Sequence, residues 1–106
     1  MAKPVVTRRA ADEDLDRAFE YYLREAGSDT AVAFIDSLEQ AILHISRQPA
    51  SGSPSYAHLL DIPGLRFWKT KNFPYLIFYI DLESHIEIWR VLHGKMDIPK
   101  WMTDDE

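Results

Sequence analysis

The chain contains no cysteine. That single absence removes disulfides, thiolate metal sites and cysteine nucleophiles together. No apolar run approaches the ~18–20 residues of a membrane-spanning helix. Met1-Ala2-Lys3-Pro4 passes straight into Val5-Val6, without the apolar centre of a secretory leader. No cofactor motif is present, so no cofactor is expected. Of the histidines, His44, His58 and His85 are scattered without the spacing of metal ligands, so no metal site is expected and these three are read as surface residues. Excess positive charge is missing as well. The net charge of −5 argues against a general nucleic-acid binder, and no direct sequence-specific nucleic-acid binding by the chain alone is expected. The expectation is a cytoplasmic protein that does not engage a membrane and acts through its surface.

What is present is enough for one domain. At 106 residues the chain is read as a single unit over 1–106, with a core at about 5–101. Its charge is unevenly placed. Residues 1–62 carry six Lys/Arg against ten Asp/Glu, and residues 63–100 carry six against four. One reading is a solvated acidic helical half beside a near-neutral sheet. The other is a local cationic site on an acidic body, suited to one specific partner.

Val5-Val6-Thr7 is a short β-prone opening behind Pro4. From Arg9 the period changes. Ala11, Leu15, Ala18, Phe19, Tyr22 and Ala26 fall on one helical stripe. Asp12, Glu13 and Asp14 crowd the first turn, where carboxylates favour the positive end of the helix dipole. Gly27 is the expected stop, and Ser28 or Asp29 the expected N-cap of a second helix. That helix repeats Ala31, Phe34, Ile35, Leu38, Ala41, Ile42 and Ile45 and ends at Pro49. So short a connection makes an antiparallel helical hairpin. The turn-rich segment from Pro49 to Pro63 reads as a surface loop.

Three strands follow, at about Leu65–Thr70, Tyr75–Ile80 and Ile86–Leu92. The middle one belongs to the uncharged run Phe73-Pro74-Tyr75-Leu76-Ile77-Phe78-Tyr79-Ile80. A strand with no polar face has to be covered on both sides, so it is placed inside the sheet. In the last strand Ile86, Ile88 and Leu92 put the apolar face on even positions, interrupted by Arg90. The order gives an α+β fold, β-α-α-β-β-β, with an antiparallel helical hairpin packed on one face of a small, mainly antiparallel sheet.

Five stretches, taken in order, carry a resemblance. They are Ala10 to Leu15 with Tyr21-Tyr22; Phe34 to Ile45 with Pro49 and Gly52-Ser53-Pro54; Gly64-Leu65-Arg66; Phe73 to Tyr79; and Arg90-Val91-Leu92-His93-Gly94. Together they resemble the ParE branch of the RelE/ParE superfamily, toxins of bacterial type II toxin–antitoxin modules and plasmid stabilisation systems. The resemblance implies a cognate antitoxin encoded nearby, and DNA gyrase as the target, inhibited by protein–protein contact. The superfamily's other branch cleaves mRNA on the ribosome. This chain has Tyr75 near where that branch tends to place arginine, Gly94-Lys95-Met96-Asp97 where it usually has a further arginine, and Trp101 rather than a tyrosine in its tail. These departures favour the ParE side. A ribosome-dependent endoribonuclease, or a drifted homologue that only binds antitoxin, are the alternatives.

RNA cleavage without a metal needs a base, an acid and cations around the phosphorane. His93 is the one well-placed acid/base candidate, since an imidazole ordinarily titrates at about 6.5. If the chain is a ribonuclease, its set is His93, Arg66, Arg90 and Lys95. As a binding toxin, its target-contact candidates are Arg66, Lys69, Tyr75, Arg90, His93, Lys95 and Trp101. Each has a plainer reading. His93 is then a strand-end histidine bonded to backbone, and Arg90 an arginine whose stem covers the core rim while its head meets a carboxylate or solvent. Trp101, beyond Pro99, is expected to fold back as a lid or to meet a partner.

Overall fold

The computed structural model of the chain describes residues 2–103; Asp104-Asp105-Glu106, which count toward the net charge, lie outside the described residues. The elements are β1 (Val5–Thr7), α1 (Arg9–Ala26), α2 (Ser28–Arg47), α3 (Ser55–Leu59), β2 (Leu65–Lys69), β3 (Tyr75–Asp81), β4 (Ile86–His93) and α4 (Ile98–Thr103). The sheet runs β1-β4-β3-β2, with β1 parallel to β4 and the other pairs antiparallel.

The helical stripes become one core. Ala11, Ala18, Phe34, Leu38, Ala41 and Ile45 pack on Tyr75, Ile77, Tyr79, Ile86 and Ile88. Gly27 makes the hairpin by itself. At φ +93° it turns the chain within one residue, so Ser28 is already helical and makes no side-chain cap. The expected cap at Ser28 or Asp29 is therefore replaced by the glycine, whose carbonyl accepts the first helical bond from Ala31 N–H at 3.1 Å.

Strand β3 lies between β4 and β2, as its uncharged run requires, and its other face meets a second core. Leu65, Phe78, Leu92, Ile98 and Met102 form that core, with Tyr56, Ala57 and Leu60 of the α3 region beside them. Here the expectation for Pro49–Pro63 is corrected. The segment contains a 3-10 turn at Pro49–Ser51, a bridge from Ser53 to Phe67, and helix α3. Tyr56 and Leu60, one helical turn apart, face the sheet. Helix α4 does the same with Ile98 and Met102, so Trp101 does fold back onto the body.

Strand β4 departs from its expected alternation. Phe78 pairs with Arg90 and Tyr79 with Ile88, which leaves Trp89 as an inserted residue. The bulge moves the apolar positions from one parity to the other. Ile86 and Ile88 face the helical hairpin before it; Val91 faces the hairpin after it, and Leu92 faces α4.

The bulge lies where β1 runs out. Arg8 N–H makes the last bond to β4, on Ile88 O at 2.9 Å, and the chain then turns into α1. Beyond that point β4 would show an unpaired amide. Asp14 fills the place of the missing strand. Its Oδ2 accepts from Val91 N–H at 2.9 Å and from Arg90 Nε at 2.8 Å, and its Oδ1 accepts from Arg90 Nη2 at 2.8 Å. Arg17 adds a longer contact of 3.3 Å from Nη1. The other Arg90 terminal nitrogen, Nη1, donates to Trp101 O. One carboxylate thus ties α1, β4 and, through Arg90, α4. Both side chains are almost wholly buried, at 2% and 7% relative exposure.

Removing one partner of a buried pair strands the other's charge, which costs about 3–5 kcal/mol. Asp14→Ala is expected to lose that much in urea unfolding, while Asp14→Leu with Arg90→Met, which removes both charges, recovers most of it. A loss below about 1 kcal/mol for Asp14→Ala, the range of an exposed pair, would contradict the assignment.

Candidate functional site

The expected contact residues separate into three places. Tyr75 and His93 are cross-strand partners at one end of the sheet, with ring centroids 5.3 Å apart and planes at 76°. Lys95 follows in the turn after β4 and is exposed. Lys69 ends β2 opposite Leu76 at the same end of the sheet. From β2 to β4 is two strand spacings, about 10 Å. These four residues share one end of the sheet.

That end is closed by backbone as well as by rings. Gly94 N–H donates to Pro74 O at 2.7 Å, joining the start of β3 to the turn after β4. Thr70 N–H donates to Tyr75 O at 2.9 Å and extends the β2–β3 ladder one residue past the strand. Tyr75 itself is buried, against Tyr22 and Phe34 at 6.2 and 5.2 Å between centroids. His93 is half-buried, and its Nδ1 accepts the Lys95 backbone N–H at 3.0 Å. With Nδ1 used as an acceptor, the neutral ring carries its proton on Nε2. The outward nitrogen is then a donor.

Arg66 and Arg90 lie elsewhere. Arg66 is half-buried, pairs across the strand with Tyr79, and donates from Nη1 to Gly52 O at 2.7 Å. The same loop holds Tyr79, whose hydroxyl donates to Pro49 O at 2.6 Å and accepts from Gly52 N–H at 3.1 Å. A Cβ at Gly52 would sit 2.9 Å from Tyr79 Cζ and 3.0 Å from Phe67 O, so only glycine fits there. The Pro49 and Gly52 spacing of the sequence is therefore a latch on the β2–β3 sheet. Arg90 is inside, held by Asp14, with its guanidinium carbon 5.8 Å from the centre of the Trp101 ring.

Two features lie outside the expected set. Asp14 sits three residues after Ala11 and four before Ala18, on the apolar stripe itself, and that placement is a visible signal of an inward carboxylate. The second is a stack of His44 on Trp68, with centroids 4.0 Å apart and planes at 22°. His44 is half-buried rather than simply surface; its Nε2 meets Ser51 Oγ at 2.8 Å. Ser51 Oγ donates to Gln48 O at 2.7 Å, so His44 is the donor in that contact. Nothing in the spacing of residues 44 and 68 announces the stack.

Among the described residues no group of three or more His, Cys, Asp or Glu is placed to hold a metal ion, and no helix is long and apolar enough to cross a membrane. The sheet end offers two exposed ammonium groups, an imidazole donor and an aromatic wall. It can meet a carboxylate-bearing or polar surface.

Comparisons with known proteins agree with this architecture. A family model described as the ParE toxin of type II toxin–antitoxin system, parDE, matches residues 5–98. Among solved structures, a chain described as "Chromosomal ParDE TA system from P. aeruginosa" is similar in fold, with a TM-score of 0.75 at 19% identity, over 89% of this chain and 98% of that one. No curated protein matches in sequence.

The phenols of Tyr22, Tyr75 and Tyr79 are each pushed above their ordinary value, first of all by desolvation. The unfolded chain loses these protons from about pH 10, the folded chain only higher. Below that pH both states are protonated and these groups add no pH dependence; above it the unfolded state binds fewer protons and stability falls. Urea unfolding followed from pH 8 upward is expected to show the fall beginning near pH 10, and a shallower fall in Tyr75→Phe. An unchanged slope in that variant would contradict the burial of the Tyr75 hydroxyl.

Proposed function

We propose that this chain, which belongs to the ParE toxin family, inhibits DNA gyrase by protein–protein contact and is neutralised by a cognate antitoxin encoded beside it. The target-contact surface of this proposal is the sheet end bearing Lys69, His93 and Lys95 against the Tyr75 ring; Arg66, tied to Gly52, and Trp101, beside Arg90, lie apart from it. Arg90 contributes by holding β4 and α4 in place, since its guanidinium is taken up by Asp14 and Trp101 O. The reading places the protein in the cytoplasm, where gyrase works.

The observation that carries the choice of binding over RNA cleavage is the state of His93. Its Nδ1 is occupied by a backbone N–H, so the neutral ring presents a donor where a 2′-hydroxyl base would need a lone pair. Asp14, whose carboxylate lies beside Tyr75, is taken up by Arg90 and the Val91 amide, and Arg90 itself is not presented to solvent. A surface that binds needs none of these groups as a base.

For the antitoxin, the supporting feature is the outer face of the helical hairpin. Asp12, Glu13, Asp16, Glu20, Asp36 and Glu39 are exposed there, as are the apolar Leu23, Val32 and Leu43. A basic, amphipathic strip matches that pattern, and such a segment can order on binding. Co-expression with the adjacent gene product is expected to give one complex on a sizing column; separate elution would remove this part of the proposal.

Plasmid supercoiling by purified gyrase tests the target. The protein is expected to inhibit supercoiling, with Lys69→Glu plus Lys95→Glu weakening inhibition by about tenfold or more, as expected for charge reversal at a contact. His93→Ala is expected to retain most of it. Full supercoiling at high toxin excess, or complete loss on His93→Ala with the fold intact, would contradict the proposal. Transcripts cut within translated codons after induction would identify the ribonuclease alternative instead.

A further inference from the structure

The surface is indented beside the sheet end, between α2 and the β2–β3 hairpin. A recess of about 340 Å³ there is lined by Ser37, Gln40, His44, Trp68, Lys69 and Lys71. It adjoins a second, of about 300 Å³, that runs on past Ala33, Asp36 and Asn72. The floor is firm. Ser37 Oγ donates to Lys71 O at 2.6 Å and fixes the hairpin to the helix, and His44 lies flat on Trp68.

The edge of β2 opens onto the same region. Thr70 N–H bonds Tyr75 O, so by alternation Trp68 and Arg66 turn their backbone groups to β3, and Leu65, Phe67 and Lys69 turn theirs outward. Leu65 N–H is taken by Ile62 O at 3.2 Å, and Phe67 exchanges both bonds with Ser53 at 2.9 and 3.0 Å. Lys69 N–H and C=O have no partner among the described residues. The sheet edge is therefore latched along most of its length and open at one position, beside the recess.

The charge of this place differs from that of the molecule. On a chain of net charge −5, the two recesses are lined by Lys69 and Lys71 against the single carboxylate of Asp36. Neither lysine has an ion pair among the described residues. A nucleic acid is disfavoured here. The Trp68 face that would stack a base is covered by His44. A peptide has what the site lacks: carboxylates for the lysines and a backbone for the open edge.

We propose that the groove between α2 and the β2–β3 hairpin docks an extended acidic segment of a protein partner, its carboxylates on Lys69 and Lys71 and its backbone on the free β2 edge at Lys69. The site meets the acidic hairpin face at Asp36 and the sheet end at Lys69, but its cationic lining selects an acidic segment where the hairpin face selects a basic one, and it does not depend on what the toxin acts upon.

The full chain can be titrated with a fluorescein-labelled octapeptide of alternating glutamate and leucine, its lysine–leucine counterpart, and a single-stranded oligonucleotide of equal charge, read by anisotropy. The acidic peptide is expected to bind at least about tenfold more tightly than either competitor, and Lys69→Glu with Lys71→Glu is expected to abolish that preference. Amide shifts in ¹H–¹⁵N spectra are expected at Ser37, Trp68 and Lys71. Should the reversal variant fail to fold, Lys69→Gln with Lys71→Gln is expected to lose several-fold. Equal binding of both peptides, tighter binding of the oligonucleotide, no binding at about 1 mM, an unaffected double variant, or shifts confined to other faces would each overturn the proposal.

Discussion

Most of this fold hangs on one carboxylate. Asp14 accepts from two nitrogens of Arg90 and from the Val91 amide, and so takes the position of a strand that β1 is too short to supply. An unpaired amide at that edge would cost about 1–3 kcal/mol by itself, and an unpaired Arg90 more. The same guanidinium reaches Trp101 O and thereby sets α4 against the far face of the sheet. The bulge at Trp89 belongs to this arrangement. By shifting parity it lets Val91 enter the hairpin core while Leu92 enters the other.

The proposed contact surface is what this pin leaves outside. With Arg90 drawn in, the groups that reach solvent at the sheet end are Lys69, Lys95 and the outward nitrogen of His93, backed by the buried Tyr75 ring. Gly94 N–H on Pro74 O and Thr70 N–H on Tyr75 O brace that end from both sides. A rigid, weakly cationic face is suited to recognising one protein surface. The acidic helical hairpin, on another side of the same domain, offers a second and oppositely charged face.

The sequence made the main frame legible because its boundaries are chemical. Gly27 and Pro49 punctuate the helices, and the uncharged run through β3 demands cover on both faces. Helices α3 and α4 escaped because five or six residues are too few for a period to show, and such short helices form only where tertiary contacts hold them. The alternation of β4 was misread past Ile88 because a bulge leaves no mark in composition. Asp14 stands with Asp12 and Glu13 in a first turn that suits the helix dipole, which masks its inward role, although its place on the Ala11–Ala18 stripe sets it apart. Of the site, Lys69, Tyr75, His93 and Lys95 could be grouped from strand ends alone. The buried state of Arg90 and the tie of Arg66 to Gly52 depend on contacts across more than ten residues of chain, which no local pattern encodes.

The most direct test of this account is native-state hydrogen exchange at the Val91 amide. If Asp14 holds the open edge of β4 as a strand would, Val91 exchanges only through global unfolding, with the protection of Ile77 in the centre of β3. Exchange of Val91 orders of magnitude faster than Ile77, at the rate of an edge residue open to water, would show that the carboxylate does not hold the fold together.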